Sequence, residues 1–502
     1  MKKLNMKLTH IALAVAALGV ASAHAHTGST PHVHSLPGLT AAGIPAANQI
    51  FISGASALSA SAAAVAGSLC NTAGGGVLTT SSCGSSGVTV RCTSGNATSG
   101  FSGVPFAVVK RDTDGSFAGV GNVISETPIT GWCDTTGNNT TLLIPPNAGL
   151  TDVDTNVWRG SANTGALSIP VPPPSSNPDG VTQTGGFAGQ GFGIMVSDNM
   201  YLAMQAVQVA DGRLPAGCAG LTPGQCQPSI SKEEYTAIVD GGNFAYINST
   251  ALTGTTNTIN LCRRVETSGT QAASNVYFLN NSCAAANPTF GFKPPKKVVF
   301  PIDGGAGVVV ASGGVSGNYE EFGGAFSIFE GSGTGDTRNC ISRRNLGQDP
   351  NGTVDTDGLG TYAIGVVSLE NPLATGRQYV KLDGISPNAI QVVLNSAADI
   401  AGGGAADGWA QDPTNRINTV RGLYDFAPEL EMLWSNDAVL NPPANFVTAF
   451  GRIRAAFSDP ALVSLNGVFQ ANTGPGTHAA NPTRVHKGTR NGNFCTPQVL
   501  AE

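Results

Sequence analysis

One segment, residues 260–278, constrains the fold more than any other part of this chain. It predicts a strand at 260–263, a short polar loop that includes Arg264, and a helix at 271–280 that the Ser-Gly-Thr triplet at 268–270 opens. The first N–H groups of a helix lack partners within the helix and carry partial positive charge. Two hydroxyls, a glycine and a guanidinium at that point predict an anion site. A well-capped helix beside a surface arginine is the alternative interpretation.

The first 25 residues have the pattern of a secretory signal peptide. Lysines precede an apolar stretch at 11–20, and small residues at 23 and 25 offer cleavage positions. The apolar stretch is too short to span a membrane, and no later segment has about 18 consecutive apolar residues. The sequence therefore predicts an exported protein, periplasmic or extracellular, without a membrane span.

Cysteine content and charge narrow the class of protein further. The chain has 10 cysteines, and an even number in an exported protein predicts disulfides. None has Cys-x-x-Cys spacing, so a zinc or iron–sulfur site is not expected. We expect local pairing of Cys218 with Cys226 and of Cys262 with Cys283. The net charge of −6 argues against a nucleic-acid partner, which requires a basic surface.

Predicted strands alternate with predicted helices, which is typical of an α/β protein with largely parallel sheets. The chain is too long for one ordinary core, so two lobes are expected. We predict one lobe from residues 47–205 and 366–502, and a second from 206–365. Residues 125–190 are polar and proline-rich and predict an insertion with little regular structure. Residues 26–46 predict a flexible arm.

The order of these motifs resembles the phosphate-binding proteins of ABC transporters, which have the type II periplasmic binding protein fold. Residues 52–58, Ile-Ser-Gly-Ala-Ser-Ala-Leu, are similar to the loop after that family's first strand. The other motifs that carry the resemblance are residues 111–120, 197–198, 264–270, 362–366, 381–387 and 423–428. The resemblance implies an α/β fold of two lobes around a hinged cleft, and a membrane ABC transporter as a partner.

The resemblance also implies that phosphate or a similar oxyanion binds in the cleft, with no cofactor. It assigns the following residues to the ligand: Ser56, Leu58, Ser59, Ser116, Asp198, Arg264, Ser268, Gly269 and Thr270. An ionised Asp198 would only accept hydrogen bonds, so it would favour hydrogen phosphate over sulfate. Leu58 departs from the family, which has a hydroxyl residue there. A second Ser-Gly-Thr triplet, at 332–334, is a weaker candidate anion loop because it lacks the arginine spacing of the first.

Three other functions are compatible with the sequence. An enzyme is not expected, because the chain has no Gly-x-Ser-x-Gly motif and its histidines lie mostly near its two ends. His24 and His26 could bind Cu²⁺ or Ni²⁺ if cleavage freed the amine of His24, although incidental histidines on a solvated arm are the simpler interpretation. A surface or extracellular matrix protein that retains the binding-protein fold is the third alternative.

Overall fold

The structure is a computed structural model of the protein. It describes residues 34–159, 163, 171–222, 224–240, 252–255, 257–279, 298, 307–312, 315–321, 326–355, 360–371, 373–388, 417–420, 422–437, 445–457 and 468–470. The predicted signal peptide, together with His24 and His26, lies outside the described residues.

The described strands, in chain order, are β1 (Gln49–Gly54), β2 (Leu78–Ser82), β3 (Gly87–Cys92), β4 (Phe106–Arg111), β5 (Ala148–Thr151), β6 (Val181–Gln190), β7 (Phe192–Ser197), β8 (Ser229–Ile230), β9 (Ile259–Arg264), β10 (Gly307–Ser312), β11 (Val315–Glu321), β12 (Ser327–Gly331), β13 (Tyr362–Ser368), β14 (Arg377–Tyr379), β15 (Lys381–Leu382), β16 (Glu429–Ser435) and β17 (Val468–Gln470).

The described α-helices are α1 (Pro37–Ala41), α2 (Ser59–Ser68), α3 (Gly115–Ile124), α4 (Asp198–Ala210), α5 (Lys232–Asp240), α6 (Gly269–Leu279), α7 (Thr334–Asn345), α8 (Ile417–Val420) and α9 (Phe446–Phe457). Local sequence explains several of their ends. Ser231 and Glu234 form the reciprocal capping box expected at the start of α5, with bonds of 3.0 and 2.7 Å. The apolar residues of α9 recur at helical spacing, so one face of the helix is buried against the first sheet.

The first lobe is built on an eight-stranded sheet with the order β17-β6-β16-β5-β1-β4-β3-β2. Only β5, β1 and β4 run parallel to one another. The pairs at both ends of this sheet are antiparallel. Helix α3 packs on β1 and β5, and α2 and α9 pack against each other and on the sheet.

The second lobe is built on a seven-stranded sheet with the order β10-β11-β12-β9-β13-β7-β14. Here β12, β9 and β13 are parallel, whereas β7 is antiparallel to both β13 and β14. The predicted α/β class is confirmed, but the expectation of largely parallel sheets is wrong, because most neighbouring strands in both sheets are antiparallel. The antiparallel direction of β7 decides the position of Asp198, one of the predicted site residues.

Two chain crossings connect the sheets, and they pair with each other. One is the direct passage from β6 into β7, and the other is the return to β16. The N–H of Gln190 donates to Pro428 O (3.0 Å), and the N–H of Phe192 donates to Phe426 O (3.1 Å). Paired crossings of this kind allow one lobe to rotate about a short two-stranded hinge.

The sheets divide the chain elsewhere than the sequence predicted. Strand β7 was expected in the first lobe but joins the second sheet, as do β13 and β14. The lobe boundaries therefore fall near residue 191 and beyond residue 382, rather than at 205 and 366. The error arose because an apolar run of strand length does not reveal which sheet it pairs with.

Two segments predicted to lack structure are ordered parts of the first lobe. The predicted flexible arm is wrong from residue 34 onward, since Leu36, Leu39 and Ile44 are buried. The predicted insertion at 125–190 contains β5, which lies in the middle of the first sheet, and β6. These strands were missed because β5 is only four residues long and β6 is rich in glycine and threonine.

The eight cysteines among the described residues form four disulfides: Cys70–Cys92, Cys83–Cys133, Cys218–Cys226 and Cys262–Cys340. The predicted Cys218–Cys226 pair is confirmed. The predicted pairing of Cys262 with Cys283 is wrong. Cys262 lies on β9 and its partner on α7, which packs across that strand, so tertiary contact and not sequence proximity decides the pairing.

Candidate functional site

Arg264 is the centre of the predicted site, and the structure holds its guanidinium from both lobes. It ends β9 and is 1% exposed. Its Nε donates to Gly331 O (3.1 Å), its Nη1 to Thr334 Oγ1 (2.9 Å), and its Nη2 to Ser332 O (2.8 Å) and to Ser56 Oγ of the first lobe (3.0 Å). A guanidinium has five N–H donors, so one N–H on Nη1 is left for another acceptor.

Burial and nearby carboxylates act on the charge of Arg264 in opposite directions. Burial lowers the pKa of Arg264 to about 10, whereas Asp152, Asp336 and Asp112 act to raise it. This pKa is still well above neutral, so the guanidinium keeps its charge at pH 7. A charged planar fork inside the protein is the group best suited to bind an oxyanion.

The hydroxyls of the predicted Ser-Gly-Thr triplet lie at the start of α6. Ser268 and Thr270 are each 1% exposed. Neither hydroxyl has a hydrogen-bond partner within the part of the chain that the structure describes. Buried hydroxyls nearly always have one, and the first N–H groups of a helix also seek acceptors. The start of α6 therefore presents donors suited to the oxygen atoms of an anion.

Asp152 faces this helix start, and the sequence analysis missed it. It directly follows β5 and is 1% exposed. A Cβ added to Gly269 would lie 1.4 Å from Asp152 Oδ1, so only glycine fits at that position. The carboxylate accepts a hydrogen bond from Ser116 Oγ. Burial raises the pKa of Asp152, and Ser116, Arg264 and Lys110 act to lower it. Asp152 thus places an acceptor among the donors.

Ser116 belongs to the first turn of α3. The backbone is left-handed at Asp114 and Gly115, with φ of 63° and 55°, and this turn aims the helix start at the second lobe. The N–H of Phe117 donates to Thr267 O across the cleft (3.2 Å). The starts of α3 and α6 therefore meet at Asp152.

The loop at 53–59 contributes only one of its three predicted ligand residues. Ser56 reaches Arg264, as described above. Leu58 is fully buried in the apolar cluster of the first lobe, and its N–H donates to Ala55 O (2.9 Å). Ser59 Oγ donates to Asp112. The expectation that Leu58 and Ser59 face the ligand is therefore wrong, because the short 3₁₀ turn at Ser56–Leu58 turns both side chains away.

A buried ion pair contacts the start of this loop at the end of β1. Lys110 Nζ lies 2.5 Å from Asp112 Oδ1, and both side chains are 2% exposed. Lys110 also donates to Gly54 O at the end of β1. The pair fixes the backbone before Ser56, because the ammonium of Lys110 donates both to the Asp112 carboxylate and to the carbonyl of Gly54.

A carboxylate from the second lobe caps a helix in the first. Glu370 Oε1 accepts the N–H of Ala60 at the start of α2 (2.7 Å). Glu370 Oε2 is buried without a partner among the described residues. Burial raises the pKa of Glu370, the N–H groups of Ala60 and Ser61 act to lower it, Asp112 raises it and Lys110 lowers it, with a net value of about 8. Four direct hydrogen bonds thus join the lobes among the described residues: this one, Arg264 to Ser56, Phe117 to Thr267, and Asn275 Nδ2 to Asn163 Oδ1 (3.0 Å).

Asp198 does not belong to this group, and its predicted role in the cleft is wrong. It follows β7, which runs antiparallel to β13 and hence to β9. The strand registers place Asp198 level with the start of β9, about 16 Å along the strand from Arg264. Its Oδ2 accepts the N–H of Gly376 instead (2.7 Å). The buried acid beside the start of α6 is instead Asp152, which follows β5 of the first lobe.

The second Ser-Gly-Thr triplet, at 332–334, supports Arg264 and does not form a separate anion loop. Ser332 O and Thr334 Oγ1 both accept from the guanidinium. The N–H of Gly333 is bound to Asp336 Oδ2 at 2.6 Å. The N–H groups of Ser332 and Gly333 are therefore engaged, by Ser316 O and Asp336, whereas the hydroxyls at 268 and 270 have no partner among the described residues.

Metal binding by His24 and His26 falls outside the described residues. Within them, the carboxylates of Glu126, Asp179 and Asp437 lie within 4.8 Å of one another. Glu126 Oε1 already accepts from Asn177 Nδ2 (3.0 Å) and from the hydroxyl of Ser435. No helix in the described ranges is both long and apolar enough to cross a membrane.

Comparisons with known proteins give a limited result. No protein-family model and no curated protein matches the chain. Among solved structures, the chain is similar to a protein of Clostridium perfringens described as a phosphate ABC transporter substrate-binding protein with bound phosphate, with 11% identity and a TM-score of 0.38 over 84% of this chain and 100% of that one. It is also similar to an ABC-type phosphate transport receptor from Vibrio cholerae, with 11% identity and a TM-score of 0.34 over 81% of this chain and 93% of that one. At TM-scores this low we draw no argument from either structure.

Proposed function

We propose that this chain is an exported binding protein that holds a protonated tetrahedral oxyanion, hydrogen phosphate above all, between its two lobes. We propose that it is not an enzyme and uses no cofactor. One observation carries the proposal: the hydroxyls of Ser268 and Thr270 are buried without partners among the described residues, at a helix start beside Arg264.

The donors and acceptors of the site match a protonated oxyanion. The hydroxyls, the first N–H groups of α6 and the remaining N–H of Arg264 would bind oxygen atoms that carry charge. Asp152, when ionised, can only accept, so it needs a ligand that still carries a proton. Hydrogen phosphate and hydrogen arsenate have that proton at neutral pH, and sulfate does not. Sulfate would leave Asp152 and one sulfate oxygen facing each other without a donor.

Ligand exchange would require the lobes to separate about the paired crossings at 190–192 and 426–428. Four direct hydrogen bonds between the lobes would break among the described residues. At about 1 kcal/mol net for each bond, their loss costs about 4 kcal/mol, which a bound anion with several charged hydrogen bonds can offset on closing.

The four disulfides fit an oxidising compartment. We therefore propose a periplasmic or extracellular location and delivery of the anion to a membrane ABC transporter. A surface or matrix protein that retains this fold is the second candidate. The position of Asp152 and Glu370 at two helix starts favours it, because internal carboxylates there could hold the lobes closed without a ligand.

Isothermal titration calorimetry of the mature protein with phosphate, arsenate and sulfate separates these functions. The receptor proposal expects micromolar or tighter binding of phosphate and arsenate, and much weaker binding of sulfate. Arg264→Ala, which removes the guanidinium from the site, is the variant to compare with wild type. Absence of phosphate binding at millimolar concentration would refute the receptor proposal and favour the surface protein.

A further inference from the structure

Two arginines of the second lobe meet on one face of α7, outside the site described above. Arg338 and Ser342 are four residues apart, so they occupy successive turns of that face. Arg377 reaches in from β14, and its Nη1 donates to Ser342 Oγ (2.7 Å). Arg338 Nη1 donates to Asn371 Oδ1 (3.1 Å). Asn371 is itself held by Ser368, to which its Nδ2 donates twice at 2.9 Å.

Neither guanidinium has a carboxylate partner among the described residues. Their hydrogen bonds go to a neutral hydroxyl and a neutral amide. Arg377 is only 8% exposed, and the Nε atoms of both Arg338 and Arg377 are buried without a partner in the described part of the chain. Burial lowers the pKa of Arg377, and the nearby charge of Arg338 lowers it further. Two like charges are thus held together where solvent screens them poorly.

Asp198 is an acid whose charge acts on Arg377. Its charge acts to raise the pKa of Arg377, but the described residues show no ion pair between them within 4.0 Å. Its Oδ1 is also buried without a partner. One carboxylate leaves the pair with net positive charge, and the buried Nε–H donor of each arginine has no partner among the described residues.

We propose that Arg338 and Arg377 form a second binding site, for a small oxyanion such as sulfate or phosphate. Guanidiniums whose partners are neutral would be stabilised by an anion that accepts hydrogen bonds from both of them. The site shares α7 with the predicted cleft site, because Thr334, one turn before Arg338, accepts from Arg264. It nevertheless uses different residues, and no carboxylate in the described part of the chain forms an ion pair with either arginine.

Sulfate is the sharpest probe, because Asp152 is expected to exclude it from the cleft. We expect calorimetry at low ionic strength to show one sulfate bound per chain, and Arg338→Gln and Arg377→Gln each to weaken that binding about tenfold or more. The matched control is Arg343→Gln, which removes the same charge from the same helix but from a side chain that donates to Pro350 O. Its affinity for sulfate should stay within about twofold of wild type.

The outcomes separate this inference from the proposed function. Arg264→Ala should lose tight phosphate binding and keep sulfate binding. If Arg377→Gln does not fold, Arg338→Gln alone provides the test, because Arg338 is only half-buried. The inference is overturned if wild type binds no sulfate at millimolar concentration, or if Arg343→Gln weakens binding as much as Arg338→Gln does, since general electrostatic attraction would then explain the result.

Discussion

Replacing Asp152 by asparagine is the most direct test of how the cleft would choose its ligand. The change keeps the shape of the side chain but turns a pure acceptor into a group that can also donate. Asp152 is buried against Gly269 and accepts from Ser116. Asparagine can retain the bond from Ser116 through its Oδ1 and direct its amide towards a bound anion. We therefore expect the variant to fold and to lose selectivity, not binding as such.

The size of the effect follows from the groups left without partners. A sulfate oxygen that faces Asp152 leaves two buried acceptors unsatisfied, one on each molecule, and each costs about 1–3 kcal/mol. The total of about 2–6 kcal/mol corresponds to sulfate binding roughly 30-fold to 10⁴-fold weaker than hydrogen phosphate. In Asp152→Asn the two anions should bind within about tenfold of each other, because the amide can donate to sulfate.

Calorimetry at pH 7.5 with both anions measures this ratio in wild type and variant. To remove the second oxyanion site from the comparison, both can be prepared with Arg338→Gln. Asp198→Asn is the matched control, since Asp198 is also an acid that directly follows a strand. It should leave the ratio unchanged. If sulfate affinity does not rise in Asp152→Asn, or if Asp198→Asn relaxes selectivity instead, the assignment of Asp152 is wrong.

Three further predictions can be measured independently. Arg264→Ala should weaken phosphate binding by about 2–5 kcal/mol, and Arg264→Lys should restore only part of it because an ammonium lacks the planar fork; equal affinities for all three proteins would contradict this. The raised pKa of Glu370, about 8, means that its neutral form is favoured in the folded protein, so its contribution to stability is complete below the usual value of 4.5 and is lost as pH rises through about 8. Glu370→Gln should therefore flatten the fall in melting temperature between pH 5 and 8, and an unchanged slope would refute the raised pKa of Glu370. Labelling of the denatured, unreduced protein should find two or fewer free thiols, whereas six or more would rule out an oxidised chain.

Local patterns predicted the elements that carry the donors of the candidate site. The apolar run before Arg264 became β9, and the triplet after it opened α6, because both signals depend only on neighbouring residues. The capping box at Ser231 and Glu234 was predictable for the same reason. Elements whose partners lie far away in the chain were not predictable in this way. Cys262 illustrates the limit, because its true partner is 78 residues away.

The acid was misassigned for a reason that lies in strand direction. Asp152 and Asp198 both directly follow buried strands, so their local sequence signals are equivalent. What separates them is that β5 runs parallel to β1 in the first sheet, whereas β7 runs antiparallel to β13 in the second. Parallel strands bring their carboxyl ends to one edge of a sheet, and an antiparallel strand carries its end to the opposite edge.

This reversal has a consequence for the chemistry of both places. It removes Asp198 from Arg264 and sets it near Arg377, where its Oδ1 remains without a partner among the described residues. Asp152, from the other lobe, takes its place opposite α6. The acceptor and most of the donors of the cleft thus come from different lobes and meet only when the lobes are closed. If the proposed function is right, selection of the protonated anion would therefore occur on closure, and Asp152→Asn should change the affinity for sulfate without altering the open state.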